Sequence, residues 1–188
     1  MPTRAAMHDL GARLAAVLRA GDLVLLTGDL GAGKTTLAQG IGAGLGVRGP
    51  ITSPTFVIAR VHPSEVGGPA LVHVDAYRLG SIGEVDDLDL DAGLDASVTV
   101  VEWGEGLVED LAQDRLLVRL ERRRGQRPGP DGDRRRPAAA TGAGGDDDPD
   151  DPDDPDDLDD VDEPREVRLT GLGGRWAGVA LPETTVAR

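Results

Sequence analysis

The octapeptide Gly28-Asp29-Leu30-Gly31-Ala32-Gly33-Lys34-Thr35 satisfies G-x-x-x-x-G-K-[ST] at each fixed position. The residue types account for the chemistry. Glycines let the backbone curl until successive N–H groups converge on phosphate oxygens, an approach that bulky side chains would block. A helix beginning there turns its positive end toward the same space. The lysine supplies a mobile charge to the β- and γ-phosphates, and the Thr35 hydroxyl is a hard oxygen ligand suited to Mg2+. Lys34 is the single lysine of a chain with 19 arginines, and it occupies the position where the motif demands lysine. Asp29, Leu30, Gly31, Ala32, Gly33, Lys34, Thr35 and Thr36 are therefore the expected nucleotide contacts.

Hydrolysis of a bound nucleotide needs acids at the ends of buried strands, where they hold the metal or its waters and orient the attacking water. Asp75 follows the apolar run Leu71–Val74, and Glu102 follows Val98–Val101. Either acid alone reads more readily as a helix N-cap or a solvated turn. Beside a phosphate loop both are candidate catalytic groups with Lys34, because ligands sit at the C-terminal edge of such sheets. Ser53-Pro54-Thr55-Phe56 lies where a nucleotide-sensing segment belongs, so Thr55 is expected near Mg2+ or the γ-phosphate; an ordinary turn entering a strand is the alternative. Phe56 and Trp103 are expected to pack the sheet as large rings usually do. His8, His62 and His73 show no metal-ligand spacing and carry no expected catalytic role.

These groups need elements to position them. Met7, Leu10, Leu14, Val17 and Leu18 recur at helical spacing over 5–19. Leu23–Leu26 is a short apolar run of the kind buried on both faces of a parallel sheet. Thr35–Leu45 reads as a helix weakened by Gly40, Gly42 and Gly44, so tertiary packing must hold it. Phe56–Val61, Leu71–Val74, Val98–Val101 and Leu116–Leu120 read as strands, residues 84–95 as a short helix or ordered loop, and Leu107–Leu111 as a brief helix. Val167–Leu169 and Trp176–Leu181 read as a closing hairpin around Gly-Leu-Gly-Gly. The alternation predicts an α/β fold of P-loop NTPase type, a largely parallel sheet flanked by helices with an antiparallel edge hairpin.

Composition bounds the rest. The absence of cysteine excludes a disulfide scaffold, a thiolate zinc site, thiol catalysis and Fe–S clusters. No apolar run approaches the roughly 18 residues of a membrane span and no charged-then-apolar leader opens the chain, so a cytoplasmic protein without a membrane partner is expected. The formal charge is −14, but residues 122–163 hold 15 of the acids and 7 of the arginines. This Arg/Gly/Pro-rich then Asp/Pro-rich stretch has few apolar groups to offset the entropy of ordering, so 122–164 is expected to be a disordered insertion. It separates a core at 1–121 from an edge hairpin and tail at 165–188. Base-reading motifs for guanine need a further lysine, which leaves ATP by elimination.

The ordered series of motifs resembles one family. Asp9-Leu10-Gly11 before Ala12-Arg13-Leu14, the phosphate loop through Thr36, Ser53–Phe56, His73-Val74-Asp75-Ala76-Tyr77-Arg78-Leu79 and Val101-Glu102-Trp103 together resemble the bacterial TsaE (formerly YjeE) family of tRNA threonylcarbamoyladenosine biosynthesis ATPases. The resemblance implies an ATPase that works with TsaD and TsaB, meets tRNA indirectly through that complex, and supports threonylcarbamoyl attachment to the adenosine beside the anticodon. It implies Lys34 and the loop backbone on the phosphates, Thr35 and Glu102 on Mg2+, Asp75 positioning water or metal, and Tyr77-Arg78 near a partner-facing surface. Two features depart from the family. Only Met1–Arg4 precede the first helix, where members carry a segment of the adenine site, and the 122–164 insertion is not a family feature. Two alternatives remain open on the residues alone: a small-molecule kinase, for whose Arg-bearing lid Arg122–Arg124 with Arg134–Arg136 could be mistaken although they sit in Gly/Pro-rich chain without helical periodicity, and a nucleotide-gated binding module with negligible turnover.

Overall fold

A computed structural model describes residues 3–86, 88, 90–122 and 165–184. Apart from Arg122, the expectation of disorder over 122–164 lies outside the described residues. The chain begins with α1 (Arg4–Ala15), where the Thr3 hydroxyl accepts from Ala6 N–H at 3.1 Å as N-cap. The helix stops earlier than its periodicity suggests, and Leu18 is buried from the turn that follows. Next come β1 (Leu23–Gly28), α2 (Lys34–Leu45), β2 (Ala59–His62), β3 (Ala70–Asp75), α3 (Ile82–Asp86), α4 (Asp91–Leu94), β4 (Ser97–Glu102), β5 (Arg115–Arg122) and β6 (Arg165–Leu172).

The six strands form one sheet in the order β2-β3-β4-β1-β5-β6. The four central strands are parallel, and both edges are antiparallel: β2 against β3 and β6 against β5. The fold is thus α/β of P-loop NTPase type, with one more antiparallel edge than the sequence pattern suggests. Alternation along the strands divides the core into two layers. Val24, Leu26, Val98, Val100, Leu116, Val118 and Leu120 face α1 and α2. Leu23, Leu25, Val74 and Val101 face the other way, under Val85, Leu90 and Val108.

The glycines of α2 are explained by its neighbour. A Cβ on Gly40 would lie 2.1 Å from the carbonyl oxygen of His8, and one on Gly11 would lie 2.4 Å from that of Leu37. The helices cross backbone to backbone, and that contact offsets the low helix propensity of glycine.

Two strand expectations need correction. The stretch expected to begin a strand at Phe56 instead turns: Val57 and Ile58 both donate to the Pro54 carbonyl, Ile58 has φ 68°, and β2 starts only at Ala59. The closing hairpin between Val167–Leu169 and Trp176–Leu181 does not form. β6 pairs with β5 from Arg122↔Arg165 to Arg115↔Leu172, and Gly174–Trp176 is a 3-10 turn that lays Trp176 on Gly171. No strand follows Trp176 among the described residues; Val179 and Leu181 lie against the α1/α2-side core.

Candidate functional site

The C-terminal ends of β1, β3 and β4 lie side by side, and the candidate residues gather there. β1 runs into the phosphate loop at Gly28 (φ 144°), where a Cβ would lie 2.3 Å from the Leu120 carbonyl oxygen. Gly33, at φ 98°, caps α2, so Lys34 and Thr35 open the helix and its free N–H groups face the loop interior. Asp29, Leu30 and Gly31 are exposed, Ala32 is buried, and Thr36 is half-buried in the first turn.

Lys34 is folded into the loop rather than extended into solvent. Its Nζ donates to Gly28 O at 2.9 Å and to Asp29 O at 3.0 Å, and lies 3.7 Å from the centroid of the Trp103 ring. Burial pushes the Lys34 ammonium below its ordinary range; the nearby carboxylates of Glu102, Asp75 and Asp29 oppose this, and Arg122 adds to it. Trp103 reaches this position by taking a left-handed backbone conformation, φ 62°, immediately after β4. Tyr77 meets its ring edge-on at 5.4 Å between centroids. Trp103 is therefore a lid on the lysine and Phe56, at 85% exposure, stands in solvent beside Arg78; neither packs the sheet as expected.

Glu102 and Asp75 are register partners on adjacent strands, and both are almost fully buried. The Thr35 hydroxyl donates to the Glu102 carboxylate, with Oε1 at 3.0 Å and Oε2 at 3.2 Å. This pairing of a hydroxyl and a carboxylate is a hard-oxygen set of the kind Mg2+ takes. No cluster of three or more His, Asp or Glu with metal-ligand geometry exists among the described residues, so a dedicated all-protein cage is absent there.

Asp75 serves two neighbours at once. Its Oδ2 accepts from Thr55 Oγ1 at 2.5 Å and Ser53 Oγ at 3.0 Å, while Oδ1 accepts from Tyr77 N–H at 3.0 Å and caps the turn Ala76–Arg78. The N-cap reading of this acid is thus realised, and the same carboxylate also holds Ser53 and Thr55. The segment 53–58 is tethered to β3 through a carboxylate.

Three contacts escaped the sequence reading. His73 Nε2 lies 2.9 Å from Glu102 Oε1, although no catalytic role was expected of it. Arg122 Nε donates to Gly31 O at 3.2 Å, and the Arg165 side chain lies beside Gly33. Spacing along the chain carries none of these, because His73 is 29 residues from Glu102 and Arg122 is 91 from Gly31. Arg123, Arg124 and Arg134–Arg136, the remainder of the suggested kinase lid, lie outside the described residues. No helix among the described residues is long and apolar enough to cross a membrane.

The comparisons agree with this geometry. The family model of the threonylcarbamoyl adenosine biosynthesis protein TsaE matches residues 1–129. The chain is 68% identical over 117 residues to the tRNA threonylcarbamoyladenosine biosynthesis protein TsaE of Streptomyces coelicolor, covering 62% of this chain and 79% of that one. Against the protein of the same name from Bacillus subtilis it is 40% identical over 109 residues, covering 57% and 66%. Among solved structures, Bacillus subtilis YdiB aligns with a TM-score of 0.59 and 26% identity, covering 94% of this chain and 86% of that one. With a phosphate loop, two strand-end acids and a tethered Ser-Pro-Thr-Phe segment joined at one sheet edge, and a family model that spans them all, the chain belongs to the TsaE family of threonylcarbamoyl adenosine biosynthesis proteins.

Proposed function

We propose that the chain is a Mg2+-dependent ATPase serving threonylcarbamoyl adenosine biosynthesis on tRNA, in the cytoplasm, as an accessory subunit to TsaD and TsaB. The observation that carries this reading is the burial of the single lysine inside the phosphate loop, beside the hydrogen-bonded Thr35–Glu102 pair. The backbone from Asp29 to Thr36 cradles the phosphates, and Lys34 exchanges its two carbonyl acceptors for phosphate oxygens. Thr35 and Glu102 hold Mg2+, which when bound neutralises charge building on the β- and γ-phosphate oxygens. Asp75, held at the correct edge by Thr55 and Ser53, orients the attacking water. Thr55 and its segment report the state of the γ-phosphate, since they share that carboxylate. Arg122 and Arg165 stand close enough to the loop to add positive charge on its outer side. ATP rather than GTP follows from the lack of a second lysine for a guanine-reading motif.

The test is phosphate release from Mg-ATP by the purified chain, alone and with TsaD and TsaB from the same organism, with and without Lys34→Ala. Turnover stimulated by the pair and lost in Lys34→Ala supports the reading. Turnover indifferent to the pair, or transfer of the phosphoryl group to a small acceptor, overturns it in favour of a free ATPase or a kinase.

A further inference from the structure

His73 sits in the middle of β3 with no exposed surface, and one face of the sheet brings it to Glu102. In the β3–β4 ladder His73 pairs with Val100 and Asp75 pairs with Glu102, so His73 and Glu102 are diagonal neighbours on the same face. The ring points Nε2 at Glu102 Oε1, 2.9 Å away. Nδ1 is buried and has no hydrogen-bond partner. An ionised carboxylate only accepts, so the hydrogen must lie on Nε2. A second hydrogen on Nδ1 would be a buried donor with no acceptor, which native interiors avoid.

Glu102 is thereby gripped from two elements. Thr35, on α2, approaches the open side of the carboxylate and His73, on β3, approaches Oε1 from within the sheet. A hydroxyl alone would leave the carboxylate free to rotate about its own axis; a second donor from another element fixes its plane. Among the described residues only Thr35 and His73 hydrogen-bond to this carboxylate.

We infer that His73 is the positioning residue of Glu102: its Nε2–H orients the carboxylate that Thr35 and Glu102 jointly present to a divalent cation. This rests on the proposed Mg-nucleotide reading of the site. His73 touches neither cation nor nucleotide and acts only through Glu102. Partners that orient metal ligands are commonly worth about 10–100-fold in metal affinity.

The experiment uses Mn2+ as the probe, titrated into the full chain with ADP and followed by electron paramagnetic resonance. His73→Leu, which keeps the bulk and removes the donor, is expected to weaken Mn2+ binding by about 10–100-fold while ADP affinity without metal stays unchanged. His73→Gln, whose amide returns an N–H, is expected to recover most of that loss. Equal Mn2+ affinity in wild type, His73→Leu and His73→Gln overturns the inference while leaving the site reading intact. No Mn2+ binding by the wild-type chain with ADP overturns the site reading itself, and the inference with it. Should His73→Leu fail to fold, long-range 1H–15N correlation on the wild-type chain decides instead. A hydrogen on Nε2, retained when Mn2+ is replaced by Mg2+ with ADP, supports the inference; a hydrogen on Nδ1 with bare Nε2 overturns it.

Discussion

Lys34 lies in a place that disfavours its charge, and on the proposed reading this makes nucleotide affinity sensitive to alkali. Burial lowers its pKa from the ordinary 10.5, and phosphate oxygens would raise it again, so binding above the lowered value takes up a proton. On the proposed reading ATP affinity therefore falls as pH rises through the lowered Lys34 pKa, below 10.5; calorimetry across that range, in buffers of different ionisation enthalpy, checks both the fall and the proton uptake. The Trp103 ring over this lysine depends on a left-handed backbone that costs a side-chain-bearing residue about 1–2 kcal/mol. Trp103→Gly should then be more stable than Trp103→Ala by about 1 kcal/mol in urea denaturation, although both lose the ring. The motif residues were legible because type and spacing act together: a lysine and a hydroxyl closing a glycine loop point to phosphate chemistry, and two strand-end acids take their meaning from standing beside it. His73 and Trp103 were not, because a histidine in an apolar run and a tryptophan after a strand are ordinary core residues until the sheet register sets them against Glu102 and Lys34.

Among the elements, the α1–α2 pair shows how a helix poor in propensity is kept. Gly40→Ala places a methyl group against the His8 carbonyl and should cost about 1–3 kcal/mol. Gly93→Ala, in α4 where the added carbon meets nothing within 4 Å beyond its own helix backbone and chain neighbours, should instead be neutral or stabilising by up to about 1 kcal/mol. Thermal or chemical denaturation of the two variants separates the close approach from propensity. The central strands were readable as apolar runs because both faces of a parallel sheet are covered. The start of β2 was misread because the Pro54 carbonyl collects two backbone donors and spends three further residues on a turn before pairing begins. The final hairpin was misread for a related reason. An apolar stretch records burial, and Trp176 is buried by folding back on Gly171 rather than by pairing in a sheet.

At the scale of the molecule, the segment after β6 is tied to the opposite end of the sheet from the phosphate loop. Arg175 donates from Nε to Asp22 Oδ1 at 2.9 Å, from Nη2 to Asp22 Oδ2 at 2.8 Å, and to the Val17 carbonyl at 2.8 Å. Asp22 is nearly fully buried, so Arg175→Met strands its charge and should destabilise the chain by about 3–5 kcal/mol. Denaturant melts compared with the double variant Asp22→Leu/Arg175→Met, expected to recover much of the loss, check this. That clamp spans 153 residues and no local pattern could disclose it. The overall α/β plan was legible, since it needs only the alternation of elements; the two antiparallel edges were half legible, since an edge is decided by which strand returns beside which. Function at this scale rests on one claim, that the loop around Lys34 is a nucleotide site. Calorimetric titration of ATP with Mg2+ into wild type and Lys34→Ala tests it most directly. Binding by the wild type and a loss of about 10–100-fold in the variant are expected, the worth of charge-assisted hydrogen bonds to phosphate. Equal affinity in the two proteins would contradict that claim.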